Sequence, residues 1–292
     1  MKILVTGAYG QLGSELKKLS AGFNDIEWYF TDFDTLDITD FESLSVFFYL
    51  NYPDYVINCA GYTAVDQAEK EVEKATLLNS MAPDNIAFLC NKIGAKFIHI
   101  STDYVFDGMA YTPYTEEAEA NPQSIYGKTK RDGELGVMEA NSQSVIIRTS
   151  WLYSSFGNNF VKTMIRLGKE RSLLRVVFDQ IGTPTYAFDL AYAILKIVSL
   201  SAGNEDNWKP GIYHFSNEGV CSWYDFAVEV HLFAGISCKV EPIGSKDFPT
   251  LAKRPAYSVL NKAKIKSVYG IEVLYWRYSL MNCLKLIQNN QL

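Results

Sequence analysis

Short apolar runs alternate with helical stripes along the first half of the chain. "KILVTG" reads as an apolar strand ending in glycine, and the "QLGSELKKLS" after it repeats Leu12, Leu16 and Leu19 at helical spacing. "IEWYFTD" reads as a second strand. "TDFESLSVFFYL" reads as a helix opened by a capping box from Thr39 to Glu42. "DYVINCAG" is a third strand, "VDQAEKEVEKATLLN" a helical stretch, and "APDNIAFLCNKIG" a further helix stopped by Gly94. "AKFIHIS" is a fourth strand, a helix around Tyr126 follows, and "SVIIRTSWLY" is a fifth strand. Strand, helix, strand at this spacing predicts a parallel sheet with crossover helices on both faces, and short apolar strands fit burial on both sides.

After about residue 150 the alternation loosens. Strand-like "LRVVFDQIGTPTY", helix-like "AFDLAYAILKIVSL", strand-like "GIYHFS" and helix-like "SWYDFAVEVHLFAG" follow, and "IGSKDFPTLAKRPAYSVLN" reads as a long loop. The expected class is α/β: a Rossmann-like doubly wound parallel sheet with a smaller α/β substrate-binding region towards the C-terminus. Residues 1–150 are expected to bind NAD(P), and residues 151–292 mainly the substrate, with the chain free to cross between the two. The cleft belongs at the carboxyl ends of the strands, between the parts.

Composition removes several classes of function. With 48% hydrophobic and 21% charged residues, the 292-residue chain has enough apolar material for a real core. A net charge of −6 argues against nucleic acid as a partner. No stretch approaches the roughly 20 apolar residues of a membrane span, and "KILVTG" directly after Met1 already reads as a strand, so the expected location is cytoplasmic. Cys59, Cys90, Cys221, Cys238 and Cys283 are scattered without CxxC spacing, so neither a disulfide framework nor a zinc site is expected. His99 and His214 sit inside strand-like runs and read as buried structural residues.

"TGAYGQLGSEL" sets Gly7, Gly10 and Gly13 between a strand and a helix. Glycines allow the tight turn and let backbone approach a pyrophosphate, which the helix N-terminus then holds. Asp32 lies 25 positions beyond Gly7, where an acid bonds the adenosine ribose, and Asp37 is a second candidate there. No lysine or arginine occurs between Lys18 and Lys70, so no clamp for a ribose phosphate is visible, which leans towards NADH. Cys59, Ala60 and Gly61 are small enough for a cofactor to cross the sheet edge; close helix packing would ask for the same.

The fourth strand ends at Ser101, Thr102 and Asp103, and 24 residues after Thr102 comes Tyr126, with Lys130 one helical turn later. Together these suggest carbonyl reduction. A phenol with a pKa near ~10 is a poor donor at neutral pH, and a nearby ammonium lowers it. The Thr102 hydroxyl can hold the carbonyl oxygen.

These features resemble the extended short-chain dehydrogenase/reductase superfamily. Within it, "NCAGYTAVDQAE", "STDYVFDG", "YGKTK", "RTSWLY", "GNNFVKTM" and "DQIGTPT" resemble the dTDP-4-dehydrorhamnose reductases, over residues 1 to about 200 and again at "RPAYSVLN". The resemblance implies an enzyme that reduces the keto group of a dTDP-linked 6-deoxy sugar with NADPH or NADH, the last step to dTDP-L-rhamnose. It implies Tyr126 as proton donor, Lys130 as its tuner and ribose ligand, and Thr102 as hydroxyl partner. Asp103 and Trp151 would touch substrate, with Gly10, Gln11 and Leu12 at the cofactor phosphates. Asp32, Asp37 and Ile38 would lie at the adenosine end, and Gly61, Tyr62 and Thr63 at the middle.

Other readings stay open at several positions. Trp151 could be core, Asp66 reads as a helix cap, and one of Asn158 and Asn159 as an N-cap. Arg254 could grip a pyrophosphate or be a surface charge. Some members of this family dimerise through magnesium held by glutamates. Here Glu15 is present, but Phe188 follows Ala187 and the chain ends in neutral "NNQL", so no metal is expected and the protein is expected to be a monomer or homodimer. The competing functions are reduction of another nucleotide-linked keto sugar, and a non-catalytic subunit like the regulatory one of methionine adenosyltransferase.

Overall fold

Strand β1 (Lys2–Thr6) enters the interior at once, followed by helix α1 (Gln11–Ser20), β2 (Glu27–Thr31), α2 (Phe41–Asn51) and β3 (Tyr55–Asn58). Two short helices, α3 (Val65–Ala68) and α4 (Val72–Thr76), lead through a π-helical segment (Leu77–Met81) into α5 (Ala82–Ile93). Then come β4 (Lys96–Thr102), α6 (Ile125–Ala140) and β5 (Val145–Thr149). The short β6 (Leu152–Tyr153), α7 (Phe160–Glu170), β7 (Leu173–Val177), β8 (Ile181–Gly182), β9 (Thr185–Tyr186) and α8 (Ala187–Gly203) follow. The chain closes with β10 (Gly211–His214), β11 (Cys221–Ser222), α9 (Trp223–Ala234), β12 (Lys239–Ile243), α10 (Ala263–Tyr269) and α11 (Trp276–Asn289). The structure is a computed structural model that describes residues 1–289; the last three residues of the neutral chain end lie outside the described residues.

The main sheet has six parallel strands in the order β2-β1-β3-β4-β5-β10. This is the expected doubly wound, Rossmann-like α/β arrangement. Alternate strand residues serve opposite faces. Ile3, Val5, Ile57 and Ile98 pack with Leu16 of α1 and Ile194 of α8. Leu4, Val56, Phe97 and Ile146 pack with Leu44 of α2, Ile86 of α5 and Val137 of α6. Each such side chain contributes about 1.5–3 kcal/mol of burial. A third cluster, with Tyr153, Val161, Phe226, Trp276 and Leu280, forms the core of the C-terminal region around α7, α9 and α11. Among the described residues no helix is long and apolar enough to cross a membrane.

Four local expectations change. Helix α2 is capped by Asp40, whose carboxylate accepts from the amides of Glu42 and Ser43, and not by Thr39. Thr39 is held instead by Asp37, which accepts its amide at 2.9 Å and its hydroxyl at 2.7 Å. The stretch read as one helix over 65–79 is broken into α3, α4 and the start of the π segment. The fifth strand breaks at Trp151, whose φ of 47° ends the extended run. Asp66 caps nothing: α3 has no side-chain cap, and the Asp66 carboxylate pairs with Arg254 at 2.5 Å. Gly94 does close α5 in the left-handed conformation, and Asn159 does cap α7 by accepting from the Lys162 amide.

Candidate active site

Helix α6 starts at Ser124, whose hydroxyl accepts from the Gly127 amide at 3.2 Å. From there Tyr126, Lys130 and Glu134 fall four apart along one face. That face lies on β4, where alternate residues His99 and Ser101 point towards it. Lys130 Nζ stands 3.3 Å from His99 Nε2 and donates to the Ile100 carbonyl at 2.6 Å. One turn on, Glu134 accepts from the Ser101 hydroxyl at 2.6 Å, from Arg148 twice at 2.7 Å, and from Arg131 at 2.8 Å. Burial raises the Glu134 pKa, but these donors outweigh it and hold the carboxyl below its ordinary value. Close approach of the helix needs Gly133, because a Cβ there would meet the Asn79 carbonyl oxygen at 2.0 Å.

A cleft of about 1110 Å³ runs from the carboxyl end of β1 to α6 and on to α9. At one end, Gly7 turns with φ 65°, and a Cβ on it would sit 2.6 Å from the Ala60 amide nitrogen. Gly10 stands at the N-cap of α1, so the first amides of that helix face the cleft together with Gln11, Leu12 and Gly13. This cradle, shaped by the absence of side chains, fits the diphosphate of a dinucleotide. Asp32 lines the same end and already accepts the Tyr9 amide at 2.9 Å. Asp37, Ile38, Cys59, Ala60, Gly61 and Thr63 also line it. Tyr62 does not: its ring is buried, its amide is bound by Asn79 at 2.8 Å, and its phenol donates to Glu71.

At the other end Thr102, Asp103, Tyr126, Lys130 and Trp151 meet. Burial pushes the Tyr126 phenol above its ordinary value, with the Thr102 hydroxyl pulling down and Asp103 pushing up. Lys130 does not offset this, because its amine is turned to β4. Burial lowers Lys130 itself to about 8, against the opposing pull of Glu134. Asp103 accepts the Thr102 hydroxyl at 3.0 Å, its second oxygen is buried without a partner, and burial raises it to about 6. Trp151 stacks on Trp223 at 3.6 Å and 9°, and both face the cleft. Arg254 lies outside the cleft lining, in the loop at 244–262. It pairs with Asp66 and reaches the Tyr104 hydroxyl at 3.3 Å, while the Tyr104 ring stands edge-on to Tyr126 at 5.4 Å.

Sequence reasoning passed over Asn79, Tyr104 and Trp223, and read His99 as a buried structural residue, which it is, without its contact to Lys130. Asn79 sits on the π segment and ties Tyr62 to Thr129 of α6. No motif marks it, although π segments recur at functional sites. His99 could have been found from parity: it is two residues before Ser101 on a strand, so it shares the face that meets Lys130 and Glu134. Glu15 is fully buried and accepts the Ser154 hydroxyl at 2.6 Å.

The chain matches the family described as RmlD substrate binding domain over residues 1–289. It is 42% identical to the spore coat polysaccharide biosynthesis protein SpsK of Bacillus subtilis, over 97% of each chain. A dTDP-4-dehydrorhamnose reductase from Clostridium acetobutylicum superposes with TM-score 0.93 at 47% identity, covering 99% of this chain and 100% of the other. The dTDP-4-dehydrorhamnose reductase of Bacillus anthracis, solved in complex with NADP, superposes with TM-score 0.91 at 39% identity, covering 98% and 99%.

Proposed function

The chain belongs to the RmlD substrate binding domain family, and on that premise we propose that it reduces dTDP-4-dehydro-6-deoxy-L-mannose (dTDP-4-dehydrorhamnose) to dTDP-L-rhamnose. The observation that carries this reading is the convergence of Thr102, Tyr126 and Lys130 at one end of a cleft whose other end is the glycine cradle. The reductase names of the two superposed structures, and the NADP in one of them, support the substrate class and the cofactor.

NADPH or NADH, when bound, supplies hydride to the carbonyl carbon. The residues of the chain do the rest. Tyr126 gives its phenolic proton to the carbonyl oxygen as the new C–H bond forms, so no free alkoxide builds up. Thr102 turns its one hydroxyl proton from Asp103 to the same oxygen and fixes its position. Lys130 bonds the nicotinamide ribose and, once charged, stabilises the phenolate that Tyr126 becomes. Gly7, Gly10, Gln11, Leu12 and Gly13 hold the diphosphate, and Asp32 bonds the adenosine ribose. Asp103, Trp151 and Trp223 bound the sugar.

The test is loss of nicotinamide absorbance with NADPH and with NADH, on substrate made in situ by the preceding epimerase. Rapid oxidation is expected. Silence with both cofactors, from a protein that binds them, would overturn the sugar assignment.

A further inference from the structure

A chain of buried hydrogen bonds leads from the backbone to Lys130, and its donors and acceptors can be assigned without ambiguity. The Ala60 amide lies 3.1 Å from one terminal atom of Asn58, and an N–H can only donate, so that atom is Oδ1. The Thr6 hydroxyl donates to the same oxygen at 2.7 Å. Asn58 Nδ2 therefore faces His99 Nδ1, at 3.1 Å, and an amide nitrogen can only donate. Nδ1 must then be the lone-pair nitrogen, and neutral His99 carries its proton on Nε2. That Nε2–H points at Lys130 Nζ, 3.3 Å away. An ammonium has three donors and no lone pair, so it would set donor against donor here. An uncharged amine satisfies every contact: it accepts from His99 and donates to the Ile100 carbonyl at 2.6 Å.

We infer that His99 is a positioning residue, locked in its Nε2–H tautomer by Asn58 and Ala60, that disfavours the ammonium form of Lys130 in the empty site by offering it a donor where it has no acceptor. The functional consequence rests on the cofactor reading above. When the ribose and diphosphate arrive, Lys130 leaves the long contact to His99, and its deprotonated fraction takes up a proton from solvent to complete the cation that the Tyr126 phenolate needs. The charged state is thereby weakened in the empty site and strengthened in the loaded one.

The surroundings agree. Thr6, Asn58 and His99 are fully buried. Burial keeps His99 uncharged, far below its ordinary pKa, and lowers Lys130 to about 8. The titratable groups that face Lys130 are His99 on β4, Cys59 beyond β3, and Tyr126 and Glu134 on its own helix. The Cys59 thiol is pushed up by burial and carries no charge at neutral pH, and Glu134 is neutralised by Arg148.

The test uses carbon-13 labelled lysine in the cofactor-free protein, with the Lys130 signal assigned by its loss in Lys130→Met. A Lys130 midpoint at or below about 8 is expected, rising by about one pH unit, a tenfold change in equilibrium, in His99→Gln, whose amide oxygen can accept from an ammonium. A midpoint at the ordinary lysine value in the wild type, or an unchanged midpoint in His99→Gln, would overturn the inference. Should the variant fail to fold, calorimetry of NADP binding to the wild type at about pH 8, in two buffers of different ionisation enthalpy, decides the matter. Proton uptake on binding supports the inference, and its absence sinks it. Neither measurement needs turnover, so an inactive enzyme would refute the proposed function alone.

Discussion

The two sides of the reacting end are built in opposite ways. One is α6 on β4, where three functional side chains share a helical face and Glu134 is fully bonded to Ser101, Arg131 and Arg148. The other is the irregular loop at 244–262, pinned to the first half by the Asp66–Arg254 pair, which is 41% and 20% exposed. The first places the proposed proton donor by regular geometry. The second can be redrawn without moving that donor, since Arg254 meets Tyr126 only through Tyr104. The contrast separates a face that lines the cleft from a loop that lies outside its lining and reaches it only through Tyr104.

The sharpest way to break this contrast is Tyr126→Phe. It is expected to lower kcat by about 10²–10⁴, with NADPH binding by fluorescence unchanged; near-normal turnover would dismiss Tyr126 as the donor. Next comes Glu134→Ala. It strands the buried Arg148 guanidinium, and a loss of about 3–5 kcal/mol is expected in urea unfolding. The native Glu134 carboxyl titrates below its ordinary value, so its contribution is present above the unfolded pKa and fades as pH falls through the native one. In variants that lose Arg148 the native Glu134 pKa rises towards the unfolded one, so stability should be lower at neutral pH and the part of it that Glu134 loses on acidification should shrink. Smaller again is Asp66→Ala, where both partners are partly solvated: about 1 kcal/mol of stability, with KM for the sugar nucleotide rising and kcat held. A fall in kcat with KM unmoved would show that the loop helps to place the donor after all. The control is Arg166→Ala, which removes a solvated pair to Glu170 and should change stability by less than about 0.5 kcal/mol.

Parts of both ends of the cleft were legible in the sequence. Gly7, Gly10 and Gly13 punctuate a strand and a helix, and Tyr126 and Lys130 are spaced by one helical turn; the parallel order of the sheet brings the two patterns to one cleft. Capping was less legible. Thr39 and Asp40 are adjacent candidates, and only the Asp37 turn decides between them. The direction of the Lys130 amine could not be read either, because it is set by β4, some 30 residues away. Asp66 and Arg254 lie 188 positions apart, and no local periodicity encodes such a pair. Tyr62 was expected to line the cofactor and instead turns inward, since Asn79, from a segment with no motif, binds its amide.

The stacked indoles of Trp151 and Trp223, parallel to within 9° at 3.6 Å, are also an optical device. Two such chromophores in contact share their excited states, and the pair should give a split circular-dichroism band that isolated tryptophans lack. Both rings face the cleft, so a guest that tilts or parts them would erase the splitting. The unlabelled protein carries its own occupancy gauge, readable by light before any reaction takes place.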